Sequence, residues 1–514
     1  MTRHKLPIGI QTFSEIIEEE YLYVDKTDLV LDLVEGGKYY FLSRPRRFGK
    51  SLLVSTLQAL FEGRRELFVG LAAEQRWDWS TCYPVIKISF AGVARTVVDM
   101  KQDIENILKT NQQRLEVTCD QAEDIGGCFY ELIAKTREKY QRRVVILIDE
   151  YDKLILDNLD QPEMAGNARE ILKDLYTIIK DCDEFIKFAF LTGVSKFAKV
   201  SIFSGLNNLE DITLTGNFAT ICGYTQQDLE TVFMNHLQGA DMTRVREWYN
   251  GYNFLGEPVY NPFDILLFIK NKFRFNNYWF ATGTPTFLIK LIQKQQYFIP
   301  QLANLRVNSS LIDSFDIENI RLEPILFQAG YLTIATIQER RRGGYDYLLR
   351  FPNKEVTLSF HDVLIDYLTD QAVEKGRYQD RLYDALEAGA VEELREILTS
   401  LFASIPYNNY VNNTIGTYEG YYASVIYAYL ASLGLDLHAE DVTNRGRIDL
   451  TVALGDNIYI LEFKVDGSGS ALDQIKERGY HQKYITQQRN IYLIGIDFDS
   501  QEKNIAAFAW EKVK

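Results

Sequence analysis

Long apolar runs are missing from this chain. No stretch approaches the ~18 consecutive apolar residues of a membrane-spanning helix, so no membrane partner is expected. The first residues, Met1 to Gln11, lack the apolar core of a secretory signal. Cysteine is scarce and odd in number: Cys82, Cys119, Cys128, Cys182 and Cys222, with no CxxC spacing among them. That pattern excludes a disulfide framework and a zinc ribbon, and it predicts reduced thiols in a cytoplasmic protein. There is no low-complexity linker and no short-period repeat. Basic residues are also in deficit, 56 against 71 acidic, for a net charge of −15. Overall charge therefore does not attract nucleic acid, and any such surface must be a local basic strip. Arg340-Arg341-Arg342 is one small candidate, and a solvated loop tip is the simpler reading of it.

What is abundant is material for cores. The hydrophobic fraction is 46%, with 32 Tyr and 30 Phe, a composition that disordered chains do not have. A length of 514 residues exceeds a single ordinary core. Apolar strands at Tyr39–Leu42, Pro84–Phe90, Val144–Ile148 and Phe188–Gly193 alternate with helical spacing over Ser51–Phe61, Val98–Tyr140 and Ala168–Asp181. Val144–Ile148 is wholly apolar, as a strand covered on both faces reads. The alternation predicts a three-layer α/β domain over residues 1–225. Residues 226–375 read as mostly helical, with a winged-helix-like unit formed by Pro324–Gly330 and a hairpin of Tyr331–Ile334 and Tyr345–Phe351. Residues 376–514 form a third segment. Its order is a helix Tyr418–Leu433, a hairpin Ile448–Leu454 and Ile458–Val465, a helix Ala471–Tyr484 and a strand Ile491–Ile496.

The first strand runs into Arg44-Pro45-Arg46-Arg47-Phe48-Gly49-Lys50-Ser51. A phosphate loop needs backbone N–H groups around the anion, a lysine to neutralise it and a hydroxyl for Mg²⁺, all at a helix N-terminus. Gly49, Lys50 and Ser51 supply these, while Arg44 occupies the place of the first glycine. A basic turn capped onto a helix is the competing reading. The wholly apolar strand ends in Asp149-Glu150, where Asp149 would hold Mg²⁺ through water and Glu150 would orient or deprotonate the attacking water. Arg46 and Arg47 either touch phosphate or pair with acidic residues. Thr192 either contacts the γ-phosphate side or is a strand-end hydroxyl.

These residues carry a resemblance. Tyr23-Val24-Asp25-Lys26-Thr27, the loop from Phe41 to Leu52, and Ile148-Asp149-Glu150-Tyr151-Asp152 are similar to the bacterial AAA-ATPase-like family with a C-terminal PD-(D/E)XK nuclease domain. So are Leu191-Thr192-Gly193-Val194-Ser195-Lys196, Trp248-Tyr249-Asn250-Gly251-Tyr252 and Tyr278-Trp279-Phe280-Ala281-Thr282-Gly283-Thr284-Pro285. The resemblance covers nearly the whole chain. It implies a P-loop NTPase core binding ATP through Arg46, Arg47, Phe48, Gly49, Lys50, Ser51, Asp149 and Thr192. It also makes Arg44 a family feature, and it implies a restriction-endonuclease-like α/β domain at the C-terminus. AAA-type cores often complete their site with a neighbour's arginine, so a homo-oligomer is one expectation.

In the C-terminal segment, Asp449 is followed after twelve residues by Glu462-Phe463-Lys464. Glu462 and Lys464 lie two apart on a strand and share a face, and hairpin pairing brings Asp449 to them. Carboxylates that hold Mg²⁺ beside a lysine suit phosphodiester hydrolysis. The spacing is similar to the PD-(D/E)XK pattern, which implies a further metal ligand from an upstream helix, Glu419, and a polar contact from a following helix, Gln474. His438 and His481 read as surface or packing histidines, and Tyr480 and Tyr484 as residues packed on the sheet. The expectation is an ATP-regulated, Mg²⁺-dependent nuclease acting on DNA or RNA. The alternative is a nucleotide switch whose C-terminal domain binds nucleic acid or protein without cutting.

Overall fold

The computed structural model describes the chain except residues 1–3, 91, 93–94, 122–123, 197–205, 207, 283–287, 290, 293–294, 296, 313–319, 370–372, 406–418, 444–445, 468–469 and 514, and except the side chains of 310, 311 and 419. It divides into two compact units. One comprises Met1–Gly283 and Arg306–Leu348, the other Thr284–Leu305 and Leu349–Lys514. Each unit draws on two stretches of the chain, whereas the segments 1–225, 226–375 and 376–514 read from the sequence are consecutive.

The first unit is built on a parallel sheet of β1 (Tyr39–Ser43), β2 (Val85–Ser89), β3 (Val144–Asp149), β4 (Ile186–Gly193) and β5 (Glu210–Asp211), in the order β2-β3-β4-β1-β5. β1 and β3 are buried at every residue. Their apolar runs require helices on both faces. The expected stretch 98–140 is two helices, Val97–Leu115 and Ile125–Tyr140. The first opens with a Thr96–Asp99 capping box and ends where Glu116 turns left-handed, at φ 49°. The second is capped by Asp124. Between them Leu115, Val117 and Cys119 are buried in alternation with exposed residues, a period of two that breaks the helical spacing.

The loop between these helices returns Cys119 to the first turn of the second, where Cys119 and Cys128 are paired as a disulfide with Cα atoms 5.2 Å apart. This corrects the expectation of five reduced thiols; Cys82, Cys182 and Cys222 remain free. Residues 224–278 gather around an aromatic core that includes Phe233, Tyr249, Tyr260 and Phe268. A helix Leu322–Ala329 then precedes a three-stranded sheet of β6 (Leu305–Asn308), β7 (Thr333–Glu339) and β8 (Tyr345–Arg350), ordered β6-β8-β7. The helix followed by a hairpin is as read from the sequence, and the added strand was not foreseen. No helix among the described residues is long and apolar enough to cross a membrane.

The second unit packs helices Lys354–Thr369 and Glu419–Ser432 together. Its sheet is β13-β12-β11-β10-β9. β9 (Asp436–Val442), β10 (Arg447–Leu454) and β11 (Asn457–Val465) are antiparallel neighbours. β11 runs parallel to β12 (Asn490–Asp499), and β13 (Asn504–Lys512) closes the edge. A parallel pair needs a crossover, and the helix Ala471–Arg478 with a short 3-10 turn Tyr480–Lys483 provides it. The expected single helix 471–484 stops at Gly479, which adopts φ 61°.

Candidate functional site

The phosphate-type loop leaves β1 at the switch point of the parallel sheet, where β1 lies between β4 and β5. Ligands of open α/β sheets bind outside the carboxyl ends of strands at such points. Gly49 takes φ 93°, a left-handed conformation that side chains resist, and a Cβ there would meet nothing within 4 Å. The loop is therefore open above Gly49, and the twelve-residue helix Lys50–Phe61 begins at once. Lys50 is buried, and its Nζ donates to the carbonyls of Arg44 and Pro45, each at 2.9 Å. Burial pulls its ammonium below the usual value, against the attraction of Asp149 and Asp152.

Arg44 explains the missing glycine. Its guanidinium is fully buried and donates to the carbonyls of Ser43 (2.9 Å), Thr213 (2.9 Å) and Phe218 (3.1 Å). It lies 3.9 Å from the centre of the Phe254 ring. Burial lowers its pKa to about 10. The arginine pins the loop from beneath; it does not face the ligand side. Phe48 is also buried, edge-on to Tyr252 at 4.8 Å and Phe254 at 6.0 Å. Arg46 and Arg47 are exposed. The Arg46 carbonyl accepts from Trp279 Nε1 at 3.0 Å, and Arg47 lies over the Phe263 ring at 4.9 Å. Neither arginine makes an acidic ion pair among the described residues.

At the end of β3, Asp149 is buried with its Oδ1 lacking any hydrogen-bond partner. An orphaned carboxylate oxygen across from an open phosphate loop fits a hard divalent cation. Ser51, half-buried on the first turn after Lys50, is the companion donor. Glu150 adopts φ 54°. Burial, then the neighbouring Asp149, pushes its carboxyl above the usual range, against Lys50 and Lys153. Asp152, which sequence reasoning did not single out as a site residue, accepts from the N–H groups of Val194 (3.0 Å) and Ser195 (2.6 Å) and from the Ser195 hydroxyl (2.6 Å). It thus latches the segment after β4 to the Asp149-Glu150 turn. Thr192 is buried and its hydroxyl donates to the Leu42 carbonyl at 2.8 Å. That bond ties β4 to β1 and engages the proton that a phosphate contact would use.

In the second unit the β10–β11 ladder parts at the predicted residues. The regular register runs from Leu454↔Asn457 to Leu450↔Leu461. Beyond it, Asp449 Oδ2 accepts from the Phe463 N–H at 2.9 Å, and the Asp449 N–H points to Glu462 Oε2 at 3.4 Å. Carboxylates replace backbone carbonyls, so the strands diverge around them. Glu462 is buried, and Gln474 Nε2 donates to its Oε1. Lys464 Nζ reaches the Ser470 carbonyl at 3.4 Å.

The crossover helix sits here because Gly495, the register partner of Glu462, has no side chain. A Cβ on Gly495 would lie 2.2 Å from Leu472 N. Asp497, opposite Lys464 in the same register, was not foreseen; its Oδ1 is buried without a partner, and burial raises its carboxyl pKa. Glu419 opens the helix Glu419–Ser432, but its side chain lies outside the described residues. No group of three metal-ligating side chains occurs among the described residues. Two carboxylates suit Mg²⁺, which keeps several waters. Tyr480 donates to the Arg447 carbonyl and Tyr484 to Asp441, so both pack as expected.

Comparison with known proteins places these features in a family. The family model described as "Predicted AAA-ATPase" matches residues 7–203. The PD-(D/E)XK nuclease superfamily model matches residues 417–508. An Azotobacter chroococcum mcd 1 protein named "Uncharacterized protein in vnfD 5'region" is 47% identical over 519 residues, spanning 100% of both chains. Among solved structures, the Aeropyrum pernix ORC1 protein in complex with DNA aligns loosely, at 12% identity and a TM-score of 0.28, over 70% of this chain and 98% of that one. The chain belongs to the family of AAA-ATPase-like proteins that carry a PD-(D/E)XK nuclease-superfamily domain.

Proposed function

We propose that the chain binds Mg²⁺–ATP at the Lys50 loop and that this binding regulates a Mg²⁺-dependent phosphodiesterase centred on Asp449, Glu462 and Lys464. One observation carries the reading: a single chain holds two separate lysine–carboxylate constellations, each fixed by backbone hydrogen bonds. At the first, the N–H groups from Arg46 to Ser51 would line the phosphates. Lys50 would exchange the Arg44 and Pro45 carbonyls for phosphate oxygens. Ser51 and Asp149 would hold the cation, and Glu150, its carboxyl pushed above the usual range by burial, would take a proton from water. Thr192 would act by holding β4 on β1.

At the second, Asp449 and Glu462 would hold a divalent cation, joined by Glu419 as the family resemblance implies. Bound there, the cation supplies polarisation of the phosphate and a more acidic water. Gln474 orients Glu462, and Lys464 stabilises the charge that develops as water adds to phosphorus and the ester P–O bond breaks. Nucleic acid is the substrate class.

A second reading is a switch that binds ATP without turning it over. It is favoured by Lys50 resting on the loop's own carbonyls and by the engaged Thr192 hydroxyl. One assay separates the two: cleavage of labelled DNA and RNA with Mg²⁺ or Mn²⁺, with and without ATP, alongside phosphate release. Lys50→Ala is expected to weaken ATP binding and remove the ATP effect. Asp449→Ala is expected to lower cleavage by about 10³-fold or more with ATP binding intact. Cleavage unchanged in Asp449→Ala overturns the assigned nuclease site, and ATP binding without phosphate release selects the switch.

A further inference from the structure

The hairpin of β7 and β8 is only half inside the protein. At the root of β7, Thr333 and Ile334 are buried, but Thr336, Ile337, Gln338 and Glu339 in succession are all exposed. Successive strand residues face opposite ways, so the outer half of this strand is exposed on both faces and projects into solvent. Backbone hydrogen bonds close its tip. Arg340 N–H donates to the Gly344 carbonyl and Gly343 N–H to the Arg340 carbonyl, both at 2.9 Å, with Gly343 and Gly344 each at φ 83°.

Its tip carries Arg340, Arg341 and Arg342, all exposed. Arg340 is neutralised by Asp346. Arg341 and Arg342 make no ion pair among the described residues. Arg306 on β6 is held beside the hairpin, its guanidinium donating to Gln338 at 2.6 Å. Large apolar groups accompany the charge: Ile337 is 45% exposed and Tyr345 49%. Glu339 is the only exposed acid on the outer half of β7.

The root is anchored beside the nucleotide loop. Gly330 lies so close to Pro45 that a Cβ would come within 2.7 Å of it. Thr333 Oγ1 accepts from Asn253 N–H at 2.8 Å, and Gln328 Oε1 from Lys196 N–H at 2.8 Å.

We propose that the β7–β8 hairpin is a nucleic-acid docking arm, with Arg341 and Arg342 on backbone phosphates and Tyr345 and Ile337 against sugar or base. The inference rests on the nucleic-acid reading above. Two features favour it. Unpaired guanidiniums grip phosphate bidentately. An exposed aromatic beside them offers a stacking face that an acidic protein partner would not require. In a chain of net charge −15 the patch is also an exception that global attraction to anions does not explain.

The test is equilibrium binding of labelled duplex DNA, with single strands of equal length as a second probe, across a range of salt. The chain carries Asp449→Ala so that substrate persists. Replacing Arg341 and Arg342 by Ala is expected to lower the magnitude of the log K against log salt slope by about 2. The parent then loses roughly tenfold more affinity than the variant between about 50 and 200 mM salt. Replacing both by Lys is expected to keep the slope. Measured binding with identical affinity and slope in the Ala variant overturns the docking arm while the nucleic-acid reading stands. No binding of either probe overturns both. Loss of binding to anionic vesicles, with nucleic-acid binding unmoved, assigns the arm to a membrane surface and overturns the proposal.

Discussion

Arg44 stands where a phosphate loop ordinarily has glycine, and its guanidinium donates to three buried carbonyls beneath the loop. Glycine in that place gives a loop freedom; here the same loop is bolted to Thr213 and Phe218. Restoring the common residue is therefore expected to harm this protein. Arg44→Gly leaves three carbonyls without donors and a cavity against Phe254, a loss of about 3 kcal/mol or more. Urea unfolding followed by tryptophan fluorescence measures it. An Arg44→Gly chain as stable as the parent, with ATP affinity unchanged, sinks the account of Arg44 as the loop's anchor. The sequence shows the arginine but not its purpose, because its partners lie about 170 positions away. Asp152 was hidden for the same reason: its partners, Val194 and Ser195, come from another strand's exit. Asp449, Glu462 and Lys464 were legible because both arms of one hairpin carry them, and hairpin pairing is local.

The crossover helix Ala471–Arg478 is the element on which the second constellation depends. Its first turn rests on the backbone of Gly495, and from that position Gln474 reaches Glu462. Gly495→Ala sets a methyl 2.2 Å from Leu472 N, a backbone atom that cannot rotate away. The helix must lift, at a cost of about 1–3 kcal/mol, and Gln474 leaves Glu462. Cleavage is expected to fall by at least tenfold while ATP binding is unchanged. Retained cleavage together with an unaltered melting temperature would mean that the helix does not need this contact. Central strands and most helices could be read from apolar periodicity. The edge strands β9 and β13 could not: β9 is Asp-Leu-His-Ala-Glu-Asp-Val with no buried position, and β13 likewise has none. An exposed edge strand lacks the alternation that marks a half-buried one, so pairing with β10 and β12 decides it.

At the scale of the whole molecule, each constellation belongs to a different compact unit, and the first unit is discontinuous in sequence. Arg306–Leu348 returns to it, bringing Gly330 against Pro45 and Gln328 against Lys196. Units with separate cores unfold as separate cooperative steps unless they are strongly coupled. Calorimetry is therefore expected to show two transitions. A ligand stabilises only the native unit that binds it, by about 2.7 kcal/mol at a concentration near 100 times its Kd. Mg²⁺–ATP should raise one transition, and that rise should vanish in Lys50→Ala. Gly495→Ala should lower the other transition and leave the ATP-dependent shift intact. Both transitions rising together with ATP in the parent, and neither in Lys50→Ala, would instead measure the coupling free energy between the two units. That outcome is what ATP control of cleavage requires if the control is thermodynamic. Two transitions of which only one responds to ATP would confine any control to the rate of cleavage, with no ATP-dependent gain in the stability of the Asp449 unit.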